Sequence, residues 1–561
     1  MTKDLSRRTL IGAGIAAVGT AAVVGVETPA IAADVLPGFP SGITVRREVY
    51  KNWDGVVSTD PLWTCVPRNQ AQVLAVVNWA HAAGYTVRAR GYRHSWSPVT
   101  VEPGTRKTAR VILVDTTAHL TAMSIPRAGR LRVEAGARMD AVLGYLNANG
   151  YSIAATPAPG DVTVGGVLAV NAHGTGVLAA GESPEANQNM GTMSNLVVTL
   201  TAAVWDAGRG EYRAKRFERN DPDIAPFLAH LGRAFVLEVT LQVMPAYSLR
   251  CRNYTDIPTR ELFASPRVAG DRSLSALLDS AGRVGLIWYT FTDHPWVQRW
   301  DVTPDKPWTS RRTRGPYNYL FADNLPDPVP QLLGRLVSGQ DWVAPAFGAA
   351  VITATRAGLT AALARDMWGP AKDFLNFVKP TTLRVSAGSH AIIVARADVQ
   401  EVVHRFSEWM TAALARYRDR RQYPLNSCVE IRVTGVDDPA AVGIRGAVAP
   451  SLSAAAPVAG RPELDTVVWL DALTLPGTPH EYAFFEELEA SLRTDYADLG
   501  VARPEWAKRW ATTADGSWTD DDVIAETPAL FPEWGSAVRT LSRYDPDRVF
   551  SSPLLDRLMP G

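Results

Sequence analysis

The sequence predicts an α+β fold divided into several domains. The chain has 561 residues, which is enough for two or three ordinary domains. Short strand-like and helix-like segments alternate from residue 67 onward, as they do in α/β units. The 43 glycines and 39 prolines are spread along the chain and indicate many turns between these segments. With 46% hydrophobic and 20% charged residues, the composition is that of a globular protein.

The first part of the chain begins with a helix followed by strands. The helix is predicted by four apolar residues at helical spacing, namely Val73, Val76, Val77 and Ala80. Gly84 ends it. Strands are predicted at residues 85–90, 111–114, 131–134, 197–204 and 235–243, and a second helix at 139–149.

Residues 1–33 have the pattern of an export signal. Arg7 and Arg8 precede an uncharged stretch rich in alanine, glycine and valine, and residues 30–32 supply the small-residue pattern of a cleavage site. The paired arginines resemble a twin-arginine signal, a route that carries folded proteins. An N-terminal membrane anchor is the alternative, but the stretch is short and only moderately hydrophobic. We therefore expect a secreted protein.

Charge and cysteine content exclude several classes of protein. The 57 basic residues balance 57 acidic ones, so the chain lacks the basic excess of a nucleic-acid binder. The three cysteines show no CxxC spacing, and there is no HExxH, so we expect no metal site. A GxSxG hydrolase motif is also missing.

Two glycine-containing runs carry the first chemical signal. Residues 90–97 read Arg-Gly-Tyr-Arg-His-Ser-Trp-Ser directly after a predicted strand. Residues 155–176 hold five glycines within 17 residues, which lets bare backbone N–H groups approach a phosphate. Neither run matches a P-loop or the GxGxxG fingerprint, which removes the ordinary NTPase and Rossmann interpretations.

Together the two runs resemble the vanillyl-alcohol-oxidase superfamily of FAD enzymes. The resemblance implies a two-subdomain FAD-binding domain, a large α/β substrate-binding cap and a C-terminal segment that returns to the first domain. The implied boundaries are 1–33 for the signal, 34–248 for the FAD-binding domain, 249–490 for the cap and 491–561 for the returning segment. The implied FAD contacts are Arg90, Gly91, Tyr92, Arg93, His94 and Ser95 in the first loop, Pro159, Gly160, Asp161, Thr163, Val164, Gly165, Gly166, Asn171, His173, Gly174, Thr175 and Gly176 in the second, and Val239 in a later strand.

His94 is the expected covalent link to the flavin 8α-methyl group, because a neutral imidazole nitrogen is nucleophilic. The alternative is a histidine that only caps the loop or touches the phosphate. His173 lies in the pyrophosphate loop, so its expected role is positional. Arg93 departs from the family pattern, since relatives commonly have glycine directly before the histidine.

The cap carries the second chemical signal. On the strand-like run 427–433, Glu430 and Arg432 point to one face of the strand. The residues that alternate with them, Val429, Ile431 and Val433, point to the other face. An edge-strand ion pair is the alternative. The resemblance implies a Glu-x-Arg pair in front of the flavin, with Glu430 as the base. Asp293 is a weaker candidate for a tunnel gate, and Asp471 for a hydroxyl or flavin contact.

Within the superfamily the layout most resembles the covalent-flavin cholesterol oxidases. The agreeing features are the export signal, the Arg-His-Ser loop, the aromatic cap and the run Val-Glu-Ile-Arg at 429–432. The resemblance implies oxidation and isomerisation of a 3β-hydroxysteroid, with O2 reduced to H2O2. It also implies a monomer that touches lipid membranes peripherally to take up its sterol.

Two other functions remain as alternatives. The first is an alditol or sugar-lactone oxidase on the same scaffold, whose pocket would need several polar groups for several hydroxyls. The second is a secreted flavin- or lipid-binding protein without turnover, against which the Glu430 and Arg432 pair argues. Production of hydrogen peroxide from an alcohol separates the enzymes from the binding protein.

Overall fold

Two sheets form the first half of the chain, and one nine-stranded sheet runs through most of the second half. The computed structural model describes residues 36–319 and 326–561. The predicted export segment lies outside the described residues. Residues 40–561 group into one unit by their contacts, and the fold below is that of this unit.

From residue 36 onward, the first half contains eleven strands and three helices. The strands are β1 Thr44–Lys51, β2 Ser58–Val66, β3 Thr86–Arg90, β4 Val111–Asp115, β5 Met123–Arg127, β6 Arg130–Glu134, β7 Tyr151–Ser152, β8 Val197–Asp206, β9 Glu211–Glu218, β10 Phe235–Gln242 and β11 Met244–Pro245. The helices are α1 Gln70–Ala83, α2 Met139–Ala148 and α3 Val164–Ala169.

The first sheet has the order β1-β2-β4-β3, and β4 pairs in parallel with both of its neighbours. Helix α1 connects β2 to β3, as a parallel crossover requires. Asn69 caps its first turn by accepting from the N–H of Gln72, and Gly84 ends it at φ 68°. The mixed α+β prediction for this region is confirmed, including the helix and its terminating glycine.

The second sheet has the order β5-β6-β10-β8-β9. Its apolar side and helices α2 and α3 share one hydrophobic core, which also takes in the C-terminal tryptophans. A small pair, β7 with β11, lies beside it. These two sheets supply the loops at which the predicted FAD contacts occur.

The second half contains nine strands and ten helices among the described residues. The strands are β12 Ser248–Tyr254, β13 Arg283–Tyr289, β14 Trp296–Val302, β15 Arg311–Arg312, β16 Asp366–Pro370, β17 Ser386–Val394, β18 Cys428–Gly435, β19 Thr466–Thr474 and β20 Val501–Pro504. The helices are α4 Thr259–Leu262, α5 Leu274–Ala281, α6 Val329–Val337, α7 Ala344–Ala361, α8 Lys372–Leu375, α9 Val399–Asp419, α10 Glu481–Thr494, α11 Asp521–Glu526, α12 Trp534–Tyr544 and α13 Pro553–Leu558.

The nine-stranded sheet has the order β15-β16-β12-β14-β13-β18-β19-β17-β20. Helices α5, α9 and α10 bury their apolar sides against one face of it. Because β18 alternates, its valines and isoleucine join that core while Glu430 and Arg432 project from the opposite face. On this opposite face Glu430 pairs in register with Ile287 on β13 and Asp471 on β19.

The last part of the chain contacts both halves. Strand β20 pairs with β17 and so belongs to the nine-stranded sheet, beyond the boundary predicted at residue 490. Farther on, the carbonyl of Ala507 accepts from the N–H groups of Trp96 and Ser97, and that of Val549 from Val87. The final residues therefore brace the first sheet as well as the second-half sheet.

No helix in the described part of the chain is long and apolar enough to cross a membrane.

Candidate active site

A cavity lies where the two glycine-containing loops meet strands β18 and β19. Its wall combines both predicted signals, since His94, His173, Glu430 and Arg432 all line it. Lys508, from the last part of the chain, completes this group. Three stretches that are distant in sequence thus contribute chemical groups to one cavity.

The first loop leaves strand β3 and makes a tight turn. A Cβ atom on Gly91 would lie 2.5 Å from the Thr163 hydroxyl oxygen, so only glycine fits between the two loops. Arg93 has φ 64°, in the left-handed region that glycine favours. The chain therefore makes a glycine-type turn with arginine, which places the next residue, His94, at the cavity.

The His94 imidazole is enclosed by aromatic rings. Trp53 stacks on it at 4.1 Å between ring centroids, with 24° between the ring planes, and Trp96 meets it edge-on at 5.7 Å. Burial lowers the pKa of His94 to about 3, with Lys508 and Arg384 adding to the effect. Its Nδ1 is buried without a hydrogen-bond partner among the described residues. A neutral ring with an unpaired nitrogen fits a covalent link to a flavin.

Two further histidines line the cavity and differ from His94 in their partners. His173 Nδ1 lies 2.9 Å from the Gly174 carbonyl oxygen, and its Nε2 lies 3.5 Å from Glu505. His173 also stacks on a buried tryptophan, Trp469, at 3.6 Å. His230 accepts at Nδ1 from the N–H of Gly232, while its Nε2 has no partner in the described ranges. Only His94 and His230 therefore offer an unpaired ring nitrogen within this wall.

The second loop packs its glycines against backbone. Thr163 caps helix α3 by accepting from the N–H of Gly166 at 3.1 Å. A Cβ atom on Gly174 would lie 2.6 Å from the backbone nitrogen of Thr156. Asp161 Oδ1 is buried with no partner inside the described residues, and burial raises the pKa of this carboxyl. Close backbone and unpaired polar atoms fit a cofactor bearing a pyrophosphate and a ribityl chain.

Part of the predicted FAD set lies along this wall in the described structure. The lining residues from that set are Gly91, Tyr92, Arg93, His94, Ser95, Pro159, Thr163, Gly165, Gly166 and His173. The second-loop residues Gly174 and Thr175 instead line a small neighbouring cavity that Arg432 also reaches. Gly160, Asp161 and Val164 are chain neighbours of these lining residues, whereas Gly176 pairs with Thr434 on β18.

Four of the predicted residues do not line this cavity in the described structure. Arg90 pairs with Glu48 and Asp115 because its strand position turns it toward the first sheet's own carboxylates. Asn171 joins a buried hydrogen-bond network. Val239 is in the core of the second sheet. Asp293 is exposed beside helix α4, where its carbonyl accepts from Thr259.

The strand pair belongs to a buried cluster of five charged side chains. Arg432 contacts Glu430, and its Nη1 donates to Asp471 Oδ2 at 2.7 Å. Lys508 Nζ lies 3.3 Å from Asp471 Oδ1 and 3.8 Å from Glu505 Oε1. Asp471 thus stands between the two cations, behind the Glu430 carboxylate. The arrangement is a network rather than the edge-strand pair that was the alternative.

The cluster keeps its lysine charged. Burial lowers the pKa of Lys508, but the negative charges of Asp471 and Glu505 raise it by more, so the net shift is upward. Burial raises the pKa of Glu505, yet Lys508 and His173 outweigh it and hold the carboxyl ionised. Burial dominates at Asp471, whose pKa is raised. The site therefore presents fixed positive charge beside Glu430.

Sequence reasoning missed Lys508, Glu505 and Trp53 as members of the site. The first two share the run 505–510, in which Glu505 precedes Trp506 and Lys508 lies between Trp506 and Trp510. Charged residues next to such tryptophans are a usable signal, because they must find partners when buried. Trp53 carries no such signal, since its role depends on the fold bringing it to His94.

Replacing Asp471 tests how strongly the cluster is coupled. Asp471→Ala removes the carboxylate that Arg432 and Lys508 share and is expected to cost about 3–5 kcal/mol of unfolding free energy. Urea unfolding measures this loss. The matched control is Asp547→Ala, which breaks an exposed pair with His81 and should cost about 1 kcal/mol or less. Equal losses in the two variants would show that the cluster contributes no special stability.

Comparison with known proteins agrees with this geometry. A family model described as cholesterol oxidase, substrate-binding, matches residues 248–560, and an FAD-binding-domain model matches residues 61–192. A solved structure described as a solvent-stable cholesterol oxidase is 45% identical, with a TM-score of 0.91, over 93% of this chain and 99% of that one. The cholesterol oxidase of Brevibacterium sterolicum is 38% identical, with a TM-score of 0.91, over 96% of this chain and 100% of that one.

More distant similarity connects the chain to sugar-lactone oxidases. The D-arabinono-1,4-lactone oxidase of Eremothecium gossypii is 26% identical over 38% of this chain and 38% of that protein. The enzyme of the same name from Saccharomyces cerevisiae is 24% identical over 46% and 45%. The chain matches less than half the length of these relatives. The substrate-binding model covers more than half of this chain, and the chain therefore belongs to the cholesterol oxidase family of FAD-dependent oxidases.

Proposed function

We propose that this protein oxidises a 3β-hydroxysteroid such as cholesterol and isomerises the product to the 4-en-3-one. The observation that carries the proposal is that Glu430 and Arg432 line the same cavity as the unpaired imidazole of His94. When bound, FAD supplies the hydride acceptor for sterol C3 and returns the two electrons to O2, which leaves as H2O2.

Glu430 is the proposed base. Its carboxylate takes the hydroxyl proton as the C3 hydrogen leaves as hydride, so a ketone remains. After releasing that proton to solvent, the same carboxylate removes a proton from C4 and delivers it to C6, which moves the double bond into conjugation. Arg432, held from behind by Asp471, orients Glu430 and faces the negative charge that develops on the enolate oxygen.

The wall beside Glu430 suits an apolar ring system. Trp53, Cys428 and Leu473 pack in one cluster next to the cavity, with Ile287 and Tyr289 against it. Ile287 and Tyr289 share the sheet face of Glu430, because β13 and β18 pair in register at these positions. This apolar surface favours a sterol over a substrate with several hydroxyl groups.

The covalent link is proposed at His94 Nδ1. The new bond joins this nitrogen to the 8α-carbon of FAD, while one 8α C–H bond and the imidazole N–H bond break. Bound FAD would supply the acceptor for the two electrons and two protons released, and O2 would carry them away as H2O2. Burial keeps the ring neutral, which is the reactive form. The link prevents loss of the cofactor outside the cell.

Substrate oxidation separates the proposed function from its alternative. Purified protein is given cholesterol or D-arabinono-1,4-lactone, and hydrogen peroxide is followed with a peroxidase-coupled dye. We expect peroxide from cholesterol and an absorbance near 240 nm from the conjugated ketone. Peroxide from the lactone alone would favour the sugar-lactone oxidase. Bound flavin with no peroxide from any alcohol would favour the binding protein.

Export through the twin-arginine route is proposed from residues 1–33. Replacing Arg7 and Arg8 together by lysine should retain the precursor inside the cell, because that route reads the arginine pair. Immunoblots of cell and medium fractions measure the distribution, and mass spectrometry of the secreted protein should find residues 1–33 removed. Normal secretion of the double variant would show that another route operates.

We also propose that the protein acts as a monomer that touches lipid membranes at their surface. Two exposed aromatic side chains in the second half support such contact, namely Trp308 at 93% and Trp342 at 57% relative exposure. Cosedimentation with cholesterol-containing vesicles and light scattering measure the two properties.

A further inference from the structure

The loop between β1 and β2 places a tryptophan directly on the proposed attachment histidine. Trp53 and His94 stack at 4.1 Å, and Trp96 closes the side of the imidazole edge-on. The guanidinium of Arg384 lies 5.3 Å from the Trp53 ring centroid. The tryptophan is itself buried, so the loop that carries it decides where the imidazole can lie.

Asn52 ties this loop to the one that carries His94. Its side-chain nitrogen donates to the carbonyl oxygens of Ser95 and Trp96, each at 3.2 Å. Its side-chain oxygen accepts from the N–H groups of Gly55 and Val57. One buried amide therefore fixes both the shape of the Trp53 loop and its distance from the His94 loop.

Asp54 ties the same loop to the second half of the chain. Its Oδ2 accepts from the Ser386 hydroxyl at 2.7 Å. The same hydroxyl accepts from Arg509 Nη2 at 2.8 Å, while Arg509 Nη1 donates to Glu481 at 2.8 Å. These side chains are buried, so the network holds Trp53 from both sides.

We propose that Trp53 is a positioning residue for covalent attachment, holding the His94 imidazole in the orientation in which Nδ1 can bond to FAD. The proposal rests on the attachment to His94 proposed above. Stacking prevents the imidazole from rotating about the Cβ–Cγ bond of His94, so the unpaired nitrogen keeps one position. Trp53 takes no part in the bonds that form or break, and Asn52 and Asp54 act through it.

Trp53→Leu and Trp53→Phe test this role together. Leucine fills apolar space without a stacking ring, whereas phenylalanine keeps the ring. Each protein is synthesised with excess FAD present, and samples taken at intervals are acid-precipitated to separate covalent flavin in the pellet from released flavin. We expect attachment to be about 10–100-fold slower with leucine, the range typical of a misplaced reacting group. Phenylalanine should restore a rate near that of the wild type, at unchanged total bound flavin.

Trp308→Leu is the matched control, because it removes an exposed tryptophan. Its attachment rate should equal that of the wild type. Wild-type attachment in Trp53→Leu would overturn the proposal. A fall in total bound flavin, with the covalent share of that flavin unchanged, would also overturn it, since Trp53 would then only support the fold. A wild-type protein without covalent flavin would refute the His94 attachment itself and this inference with it.

A second variant covers the case in which Trp53→Leu does not fold. Asp54→Asn leaves Trp53 in place and keeps Arg509 paired with Glu481, but weakens the anchor at Ser386. We expect slower attachment here too, between the rates of the wild type and of His94→Ala, which should attach nothing. An unchanged rate in Asp54→Asn together with full FAD occupancy would contradict a positioning network.

Discussion

His94→Ala should release all of its FAD on acid precipitation, whereas the wild-type pellet stays yellow. The variant lacks the buried, unpaired Nδ1 at which we place the covalent bond. The glycine-containing loops are unchanged, so FAD should still bind without the bond. We expect slower turnover and a lower flavin reduction potential, because the covalent link withdraws electron density from the ring. Absorption spectra of pellet and supernatant measure the first effect, and titration against redox dyes the second.

His230→Ala is the matched control for this experiment. His230 is the other cavity histidine with an unpaired nitrogen in the described structure, and burial likewise lowers its pKa to about 3. The control should retain covalent flavin in full. Loss of covalent flavin in His230→Ala, with retention in His94→Ala, would transfer the attachment site to the second histidine.

Glu430→Gln should slow reduction of the flavin by cholesterol about 10²–10⁴-fold, the usual contribution of a general base. Glutamine keeps the shape and can still contact Arg432, but it cannot accept the hydroxyl proton. Sterol binding should change far less, since apolar residues supply most of the wall beside Glu430. Rapid mixing under anaerobic conditions measures flavin bleaching separately from binding.

Glu182→Gln provides the matched carboxylate control. Glu182 pairs with Arg283 in a separate surface cleft and takes no part in the cavity wall within the described chain. Its flavin should be reduced at the wild-type rate. If Glu430→Gln also behaves as the wild type, Glu430 is not the base. Asp471 would then be the next residue to test, because Asp293 lies exposed beside helix α4.

The residues that sequence alone predicts well are those whose placement follows from local chain geometry. Helix α1 follows from the spacing of Val73 and Val77, and its end from Gly84. The shared face of Glu430 and Arg432 follows from the two-residue repeat of a strand. The family resemblance adds what geometry does not give, namely the expectation that this face looks toward a flavin.

The contacts that sequence alone misses depend on long-range pairing. Asp471 meets Arg432 because β19 pairs with β18 in one particular register, which no local pattern specifies. Lys508 reaches the cavity from the last part of the chain, and Trp53 from the first loop. Arg90 is a further example. It is adjacent to the first glycine-containing loop in sequence, but its side chain pairs with Glu48 and Asp115 of the first sheet.

The position of Lys508 in the cavity wall also determines when the site can form during synthesis. The first sheet and its loops can be made early, but Lys508 and strand β20 leave the ribosome long afterwards. Closing so large a loop costs chain entropy and slows folding. The cavity wall is therefore complete only after nearly the whole chain has emerged, so the first-half loops wait for the last part of the chain.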